Sequence, residues 1–586
     1  MSLCYTPRMR TCRFAVAAVM VAGSLFASQT PRPKPAAASS AKAAPAVAAV
    51  PELIYFNGII YTGNGFAEDK PETVQAIAVG GGKVLAVGTT QEITRLAGPN
   101  TRLLNLNSAT TSNTIFPGFN DAHTHLGEAG RTKITLDLTG VQSLGEMLKK
   151  TQAYAESMPA GHWITGGNWD HTLWAAKVLP TREDLDKVTA GHPAFLRRID
   201  GHIAIVNTAA LEAAGITGST KAPEGGAIDL DAKGAPTGIV RESAQGLVKK
   251  VIPPPTPEER RRADELAIAD ALAHGVTSVQ DFSEWEDFLV FEELEQEGKL
   301  GLRISEWLPF RAPLEDLKRM RAHHDANDLM LHTGFLKGFM DGSLGSRTAA
   351  MKAPFADDPG NSGLPQFTQD ELNKMAVERA QAGFQLGFHA IGDKATAMAL
   401  EAFSQPGVST KARNRIEHAQ VVDPEDIARF AKLGVIASMQ PNHLLTDMNW
   451  AEARLGPKRA AYSYAWKTFL DAGVPLAFGT DYPVEPVQPY RGLYVAVTRV
   501  NEVSTKSYFP ANKLTRGQAL YAYTQGSAYA EFAEKHKGKL APGFDADFVV
   551  VDRDIYKIRA SALLWTVVVG TYVGGHEVFP PAVQEQ

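Results

Sequence analysis

The middle of the chain repeats one unit, in which a helix is ended by a glycine and followed by a short apolar strand. In the clearest copy, Thr256, Pro257 and Glu259 provide an N-cap, a first-turn proline and a capping-box partner. Gly275 ends that helix before a strand at 276–282. Further copies end in strands at 384–389, 435–439 and 474–478. Such repeats predict an α/β fold with a parallel sheet, and their number favours a closed (β/α)8 barrel over an open sheet.

Both ends of the chain differ from the middle, because they contain short β-like runs separated by turn residues. Residues 53–115 carry hairpin signals such as Asn57-Gly58, and residues 531–586 carry further valine-rich runs. We expect the two ends to pair into one small composite β-sandwich. The barrel is predicted over 116–530. The Gly-, Trp- and Asp-rich stretch at about 140–250 does not follow the repeat and is predicted to be an insertion on the barrel.

The N-terminal segment predicts export. Residues 1–28 combine three arginines with a short apolar run, which is typical of a secretory signal peptide, and an uncleaved anchor is the alternative. A Pro/Ala-rich linker follows at 29–52. Both cysteines, Cys4 and Cys12, lie inside the predicted signal, so the mature protein would have no disulfide and no thiolate ligand. The expected location is periplasmic or secreted.

The charge balance argues against a nucleic-acid partner. The 586 residues carry a formal net charge of −5, so no strongly basic surface is implied. We therefore expect a small-molecule substrate, no nucleic acid, and no stable membrane insertion after signal cleavage. The sequence leaves open whether the protein is a homo-oligomer.

Two histidines follow a strand-like segment in the motif Asp-Ala-His-Thr-His at 121–125. His123 and His125 are two residues apart, so both imidazoles point to the same side of a strand. Two neutral imidazoles on one face suit Zn²⁺ or a related divalent ion. A pair of ordinary loop histidines is the alternative.

Three more candidate metal ligands stand at the ends of later strands: His389, His418 and Asp481. In (β/α)8 barrels the functional side chains sit at the carboxyl ends of the strands, so we expect these residues to meet the first pair. A carboxylate at Asp481 can bind metal and accept a proton from water, whose pKa a divalent ion lowers to roughly 7. The alternatives are core histidines and an N-cap role for Asp481.

Lys337 is the least obvious candidate, because an ammonium group repels cations. A lysine with a lowered pKa can react with CO₂ to give a carbamate, which is a carboxylate that can bridge two metal ions. A surface or salt-bridged lysine, paired for example with Asp341, is the alternative.

Taken together, these residues resemble the amidohydrolase superfamily, specifically its amidohydrolase-3 (YtcJ-like) branch, which includes N-substituted formamide deformylases. The resemblance covers about residues 53–580 and rests on motifs in unbroken order. Besides the His389, His418 and Asp481 segments, these are Phe-Pro-Gly-Phe-Asn-Asp-Ala-His-Thr-His (116–125), Gly-Gly-Asn-Trp-Asp (166–170), Asp-Gly-His (200–202), Pro-Thr-Gly-Ile-Val-Arg-Glu (236–242), Asp-Gly-Ser-Leu-Gly-Ser-Arg-Thr-Ala (341–349) and Leu-Ala-Pro-Gly-Phe-Asp-Ala-Asp (540–547).

The resemblance implies a TIM-like barrel with a composite β-sandwich and one or two divalent ions per chain, Zn²⁺ first among them. It implies that Asp481 acts as general base and then general acid, and that Lys337 is carboxylated and bridging in members with two metals. The metal ligands it implies are His123, His125, Lys337, His389, His418 and Asp481. The substrate-side residues it implies are Trp169, Asp170, Asp200, His202, Arg347 and His443.

Three functions are compatible with this sequence. The favoured one is a metal-dependent hydrolase that cleaves a C–N, amide-type bond through a metal-activated water. The Trp-rich insertion suggests a small apolar or aromatic substrate. The alternatives are an esterase or lactonase that uses the same metals, and a regulatory or binding protein that keeps the fold without turnover.

Overall fold

Eight parallel strands form the central sheet of the computed structural model, and they follow one another in chain order. The strands are β1 (Phe119–Thr124), β2 (Val276–Asp281), β3 (Arg303–Pro309), β4 (Leu331–Phe339), β5 (Leu386–Ala390), β6 (Arg415–His418), β7 (Ile436–Met439) and β8 (Leu476–Phe478). A parallel bridge between Thr124 and Tyr482 links the chain just after β8 to β1. The backbone N–H of Asp481 also donates to the carbonyl of His123 at 2.8 Å. The predicted parallel (β/α)8 sheet is therefore confirmed as a nearly closed barrel.

The structure describes residues 49–107, 112–198, 203–223 and 226–580. The predicted signal peptide, almost all of the predicted linker, and the candidate residues Asp200 and His202 lie outside these residues. Within the described ranges, no helix has both the length and the apolar character needed to cross a bilayer.

Helices cover the outside of the barrel and connect its strands. The first long one, Pro257–Ala273, has the predicted capping box, since the Thr256 side chain accepts from the Glu259 N–H and the Glu259 side chain accepts from the Thr256 N–H. The other helices that follow the barrel strands are Leu126–Ile134, Trp285–Gln296, Leu314–Arg321, Gln369–Gln381, Asp393–Phe403, Pro424–Leu433, Pro441–Asp447, Ala451–Ala460, Trp466–Asp471, Pro489–Thr498, Arg516–Tyr521 and Ser527–Ala530.

A separate sheet is inserted between β1 and β2. Its strands, in spatial order, are Gly226–Leu230, Pro236–Glu242, Ile203–Val206, Ala194–Arg198, Ile164–Trp169 and Leu136–Asp137. The helices of this region are Leu144–Glu156, Arg182–Asp186, Thr208–Ala213 and Gln245–Lys249. The region has hydrophobic clusters of its own, one of which includes Trp169 and Trp174. This separate packing explains why the stretch does not follow the barrel repeat.

The two chain ends build two further sheets. One contains Lys83–Gly88, Ala76–Gly80, Leu53–Phe56 and Arg102–Asn105, with the helix Thr90–Thr94 nearby in the chain. The other contains His576–Phe579, Val568–Val573, Phe548–Val551, Thr114–Pro117, Ile59–Tyr61 and Thr73–Val74. In this second sheet Phe548–Val551 pairs antiparallel with Thr114–Pro117, so both ends of the chain share it. One hydrophobic cluster contains residues of both sheets, and the hydroxyls of Tyr55 and Tyr572 lie 2.6 Å apart.

Candidate active site

Six side chains meet where the barrel strands end. A cavity of about 680 Å³ opens at this end of the barrel, which is a normal size for a small-molecule site. Five of the predicted ligands line it: His125, Lys337, His389, His418 and Asp481. The sixth, His123, is fully buried beneath them.

Asp481 lies at the centre of the group. Its Oδ1 is 3.1 Å from Nε2 of His125 and 3.6 Å from Nε2 of His123, and its Oδ2 is 3.3 Å from Nε2 of His443. Burial by itself would raise the pKa of Asp481, but these three histidines hold it well below its usual range. Asp481 is therefore an ionised carboxylate at neutral pH.

Lys337 is buried against the same histidines. Its Nζ lies 2.8 Å from Nε2 of His123. The same atom is 5.1 Å from the ring centroids of both Trp307 and Phe339. Burial lowers the pKa of Lys337 to about 8. Asp341, the alternative partner of Lys337, instead accepts from the backbone N–H groups of Ala350, Ile391 and Gly392. Lys337 is thus neither a surface lysine nor paired with Asp341.

The donor atoms fit a divalent metal ion. His123, His418 and Asp481 each offer a ligand atom, and these atoms lie within 4.8 Å of one another. Nδ1 of His418 is buried and has no hydrogen-bond partner in the described part of the chain. Burial lowers the pKa of His389 to about 4 and that of His418 well below its usual range, so both rings are neutral. Neutral imidazoles and a carboxylate are ligands that Zn²⁺ and related ions accept.

The backbone is left-handed at two of these residues. His418 has φ 72° and Asp481 has φ 62°, a left-handed conformation that side chains other than glycine, asparagine and aspartate rarely adopt. Aspartate tolerates this conformation at position 481, whereas at His418 it costs on the order of 1–3 kcal/mol and persists only where the surroundings impose it. Strain at a candidate ligand such as His418 is typical of a functional site.

Buried polar residues hold the candidate ligands in place, and the sequence reasoning did not single them out. Glu417 contacts Nδ1 of His123 at 2.8 Å, and Arg415 donates to Glu417 from Nε at 2.8 Å. Asp121 accepts from the N–H and the hydroxyl of Thr480, next to Asp481. Arg415 and Glu417 are two residues apart on β6, so their side chains lie on the same side of the strand. That spacing could have indicated the Arg415–Glu417 pair from the sequence.

The six predicted substrate-side residues divide into three groups. His443 joins the site, through Asp481. Trp169 lies in the core of the insertion, where its indole N–H donates to the carbonyl of Leu196 at 2.9 Å, and it is not among the described residues that line the cavity. Asp170 contacts Arg198, and Arg347 contacts Asp357 outside the cavity. Asp200 and His202 lie outside the described residues.

The wall of the cavity is mainly aromatic and apolar. Phe282, Trp285, Trp307 and Phe339 line it, together with Leu308, Pro309, Met320 and Val484. Ionisable side chains also line it: Glu128, Arg131, Glu284, Glu286 and Glu306. The Trp-rich insertion suggests an apolar or aromatic substrate from the sequence, whereas the aromatic residues that line this cavity come from the ends of β2, β3 and β4 and from the helix after β2.

Comparison with known proteins agrees with this geometry. The profile of the Amidohydrolase family matches residues 112–579. YtcJ of Bacillus subtilis (strain 168) is 32% identical over 543 residues, which cover 90% of this chain and 99% of YtcJ. The N-substituted formamide deformylase of Arthrobacter pascens is 27% identical over 524 residues, which cover 86% of this chain and 94% of that enzyme.

A solved structure shares the fold as well as the sequence. It is an uncharacterized metal-dependent hydrolase from Pyrococcus furiosus, with a TM-score of 0.71 and 32% identity. The alignment covers 86% of this chain and 100% of that chain. Profile, relatives and structure together confirm the resemblance expected from the motifs, and the chain belongs to the amidohydrolase family.

Proposed function

We propose that this protein is a metal-dependent amidohydrolase that cleaves a C–N, amide-type bond of a small apolar or aromatic molecule. The observation that carries the proposal is the convergence of the neutral imidazoles of His389 and His418 and the ionised Asp481 on one cavity. Membership of the amidohydrolase family supports it, as does the similarity to the Arthrobacter deformylase and to the Pyrococcus metal-dependent hydrolase.

In this proposal the metal ligands are His123, His125, Lys337, His389, His418 and Asp481, and they hold one or two ions, Zn²⁺ first among them. A divalent ion held by these residues would supply Lewis-acid polarisation of a carbonyl group and would lower the pKa of water to about 7. Asp481 accepts a proton from the attacking water at one carboxylate oxygen and returns it to the leaving nitrogen. His443, 3.3 Å from Oδ2, positions that carboxylate.

Lys337 is proposed to be carboxylated. Its pKa of about 8 leaves a substantial unprotonated fraction near neutral pH, which is the form that reacts with CO₂. The carbamate forms when the lysine nitrogen bonds to the carbon of CO₂ and a proton leaves that nitrogen. The product is an anion that no longer repels metal ions.

The substitution Asp481→Asn tests the catalytic role. Asparagine tolerates the left-handed backbone conformation at this position, so we expect the fold to be retained. Removing a general base costs roughly 10²- to 10⁴-fold in kcat. The matched control is Glu286→Gln, which removes an exposed carboxylate from the rim of the same cavity.

Turnover is measured on a panel of aromatic and aliphatic formamides and amides beside the matching esters and lactones. Wild-type rates for D481N would refute the mechanism. Turnover of esters alone would replace the amidase proposal with an esterase or lactonase. Tight binding without turnover of any substrate would favour a binding protein.

We also propose that the protein is exported to the periplasm or secreted, on the basis of the N-terminal sequence alone. Fractionation of cells with N-terminal sequencing of the recovered protein tests this, because a cleaved chain in the periplasm or medium is expected. Full-length protein in the cytoplasm would contradict it.

We infer further that the two end sheets act as one composite β-sandwich, because residues of both form a single hydrophobic cluster. Tyr55→Phe and Tyr572→Phe remove the same hydroxyl contact from opposite ends of the chain. Their effects on the free energy of unfolding should therefore be non-additive in a double-mutant cycle. Fully additive effects would contradict this inference.

A further inference from the structure

A second group of metal-ligand side chains lies on the outside of the barrel. Glu295 is near the end of the helix Trp285–Gln296, His324 follows the helix Leu314–Arg321, and Asp328 precedes β4. None of these three residues lines the catalytic cavity. Glu295 belongs to the segment between β2 and β3, whereas His324 and Asp328 belong to the segment between β3 and β4. An ion bound to all three residues would therefore link the two segments.

The distances within this group suit a shared ion better than hydrogen bonds. Nε2 of His324 lies 3.4 Å from Oε2 of Glu295 and 3.6 Å from Oδ2 of Asp328. Two ligand atoms that are each about 2.1 Å from a tetrahedral Zn²⁺ stand roughly 3.4 Å apart. All three ligand atoms lie within 4.8 Å of one another.

The imidazole of His324 is already oriented for such an ion. Its Nδ1 lies 2.9 Å from Oε1 of Glu292, while Nε2 is shielded from solvent and has no hydrogen-bond partner among the described residues. A carboxylate that accepts from one ring nitrogen leaves the other free as a ligand, which is the usual arrangement around a zinc-bound histidine. The side chain of His324 is only 13% exposed, so the orientation is held by packing.

The carboxylates around His324 also favour a cation, because burial by itself lowers the pKa of His324 whereas Glu292, Glu295 and Asp328 raise it overall. Burial, and then the negative charge of Asp328, raise the pKa of Glu295. A protonated His324 would satisfy both carboxylates with an ion pair, and this is the alternative to a bound metal. The two cases differ in one observable, the number of metal ions that the chain retains.

We propose that His324, Glu295 and Asp328 form a second divalent-metal site, suited to Zn²⁺, with Glu292 fixing the histidine. The ion would have three protein ligands, with water completing its coordination. It would tie the helix Trp285–Gln296, whose first residue lines the catalytic cavity, to the segment that leads into β4. Since β4 carries Lys337, the site would act as a structural clamp behind the catalytic centre.

The test is the amount of Zn²⁺ retained by the purified full chain after equilibration with buffered micromolar Zn²⁺ and gel filtration, measured by plasma mass spectrometry. His324→Ala is expected to retain one ion fewer per chain than the wild type. His323→Ala is the matched control, because His323 is adjacent and also contacts Glu292, at 3.1 Å, but offers no ligand atom to the group.

Asp328→Asn is a second test of the site, needed in case His324→Ala fails to fold. Asparagine retains the Oδ1 atom that accepts from the N–H of Met330, so the local turn is kept while the charged ligand is lost. This variant is also expected to retain one ion fewer. Equal metal content in the wild type, H323A, H324A and D328N would overturn the proposal and leave the ion pair as the explanation.

Discussion

Oε2 of Glu417 lies 2.8 Å from Nδ1 of His123, and both side chains are completely buried. Burial lowers the pKa of His123 well below its usual range, so the ring is neutral and carries a single proton. The carboxylate holds that proton on Nδ1, which leaves Nε2 as a lone-pair donor that faces Lys337 and Asp481. Arg415, also fully buried, neutralises the charge of Glu417.

Glu417→Gln should therefore weaken metal binding. The amide keeps the shape but no longer holds the Nδ1 proton by charge, and loss of such a partner costs roughly 10- to 100-fold in metal affinity. Affinity is measured by competition with a chromophoric chelator, with circular dichroism to establish the fold. Unchanged affinity in a folded E417Q protein would show that the contact does not orient the ligand.

Carboxylation of Lys337 predicts that metal loading depends on CO₂. Metal-free protein reconstituted in bicarbonate should take up more metal at the catalytic site, and show higher activity, than protein reconstituted in CO₂-free buffer. Lys337→Met keeps a long side chain without the reactive nitrogen and should abolish the bicarbonate effect. A ¹³C carbamate signal from labelled bicarbonate would give direct confirmation, and equal metal uptake in both buffers would argue against the modification.

Asp264 predicts a pH dependence of stability that is independent of catalysis. It is fully buried in the helix Pro257–Ala273, and neither carboxylate oxygen has a hydrogen-bond partner in the described structure. Burial raises its pKa to about 8, whereas an unfolded aspartate titrates near 3.9. Between these values the folded chain keeps a proton that the unfolded chain has lost, so stability falls as the pH rises from about 4 to about 8.

Asp264→Asn removes this titration, so its stability relative to the wild type should improve by at most about 1.4 kcal/mol per pH unit across that range. The free energy of unfolding is measured by urea titration at several pH values. Glu265→Gln, the next residue on the same helix, is the control for the loss of one carboxylate. Parallel pH profiles for D264N and the wild type would contradict the prediction.

The aromatic wall predicts selectivity for apolar substrates. Phe339 lines the cavity and is 42% exposed, so Phe339→Ala should cost little stability. An aromatic contact with the substrate is worth roughly 0.5–1.5 kcal/mol, which corresponds to a 2- to 10-fold rise in KM for aromatic substrates. Aliphatic substrates should be affected less. Val484→Ala, at another exposed position of the same cavity, is the control, and an equal change for both substrate classes would argue against a role in selectivity.

Much of the candidate site could be predicted because its residues stand at strand ends, where local sequence patterns are strongest. The two-residue spacing of His123 and His125 and the strand before His389 are features of a few consecutive residues. Glu417 was within reach of the same reasoning, since it precedes His418 on β6. The position of Trp307 in the cavity wall could not be predicted, because an aromatic residue on a strand is equally typical of the hydrophobic core.

The sequence by itself determined the alternation of helices and strands, because helix caps, glycine stops and apolar runs act over a few residues. It also determined which metal-binding residue types end the barrel strands. Only the tertiary structure decided which distant side chains reach the cavity. Trp169 packs inside the insertion, Arg347 donates a hydrogen bond to Asp357, and His443 contacts Asp481. Such contacts depend on the packing of segments far apart in the chain, which no local pattern records.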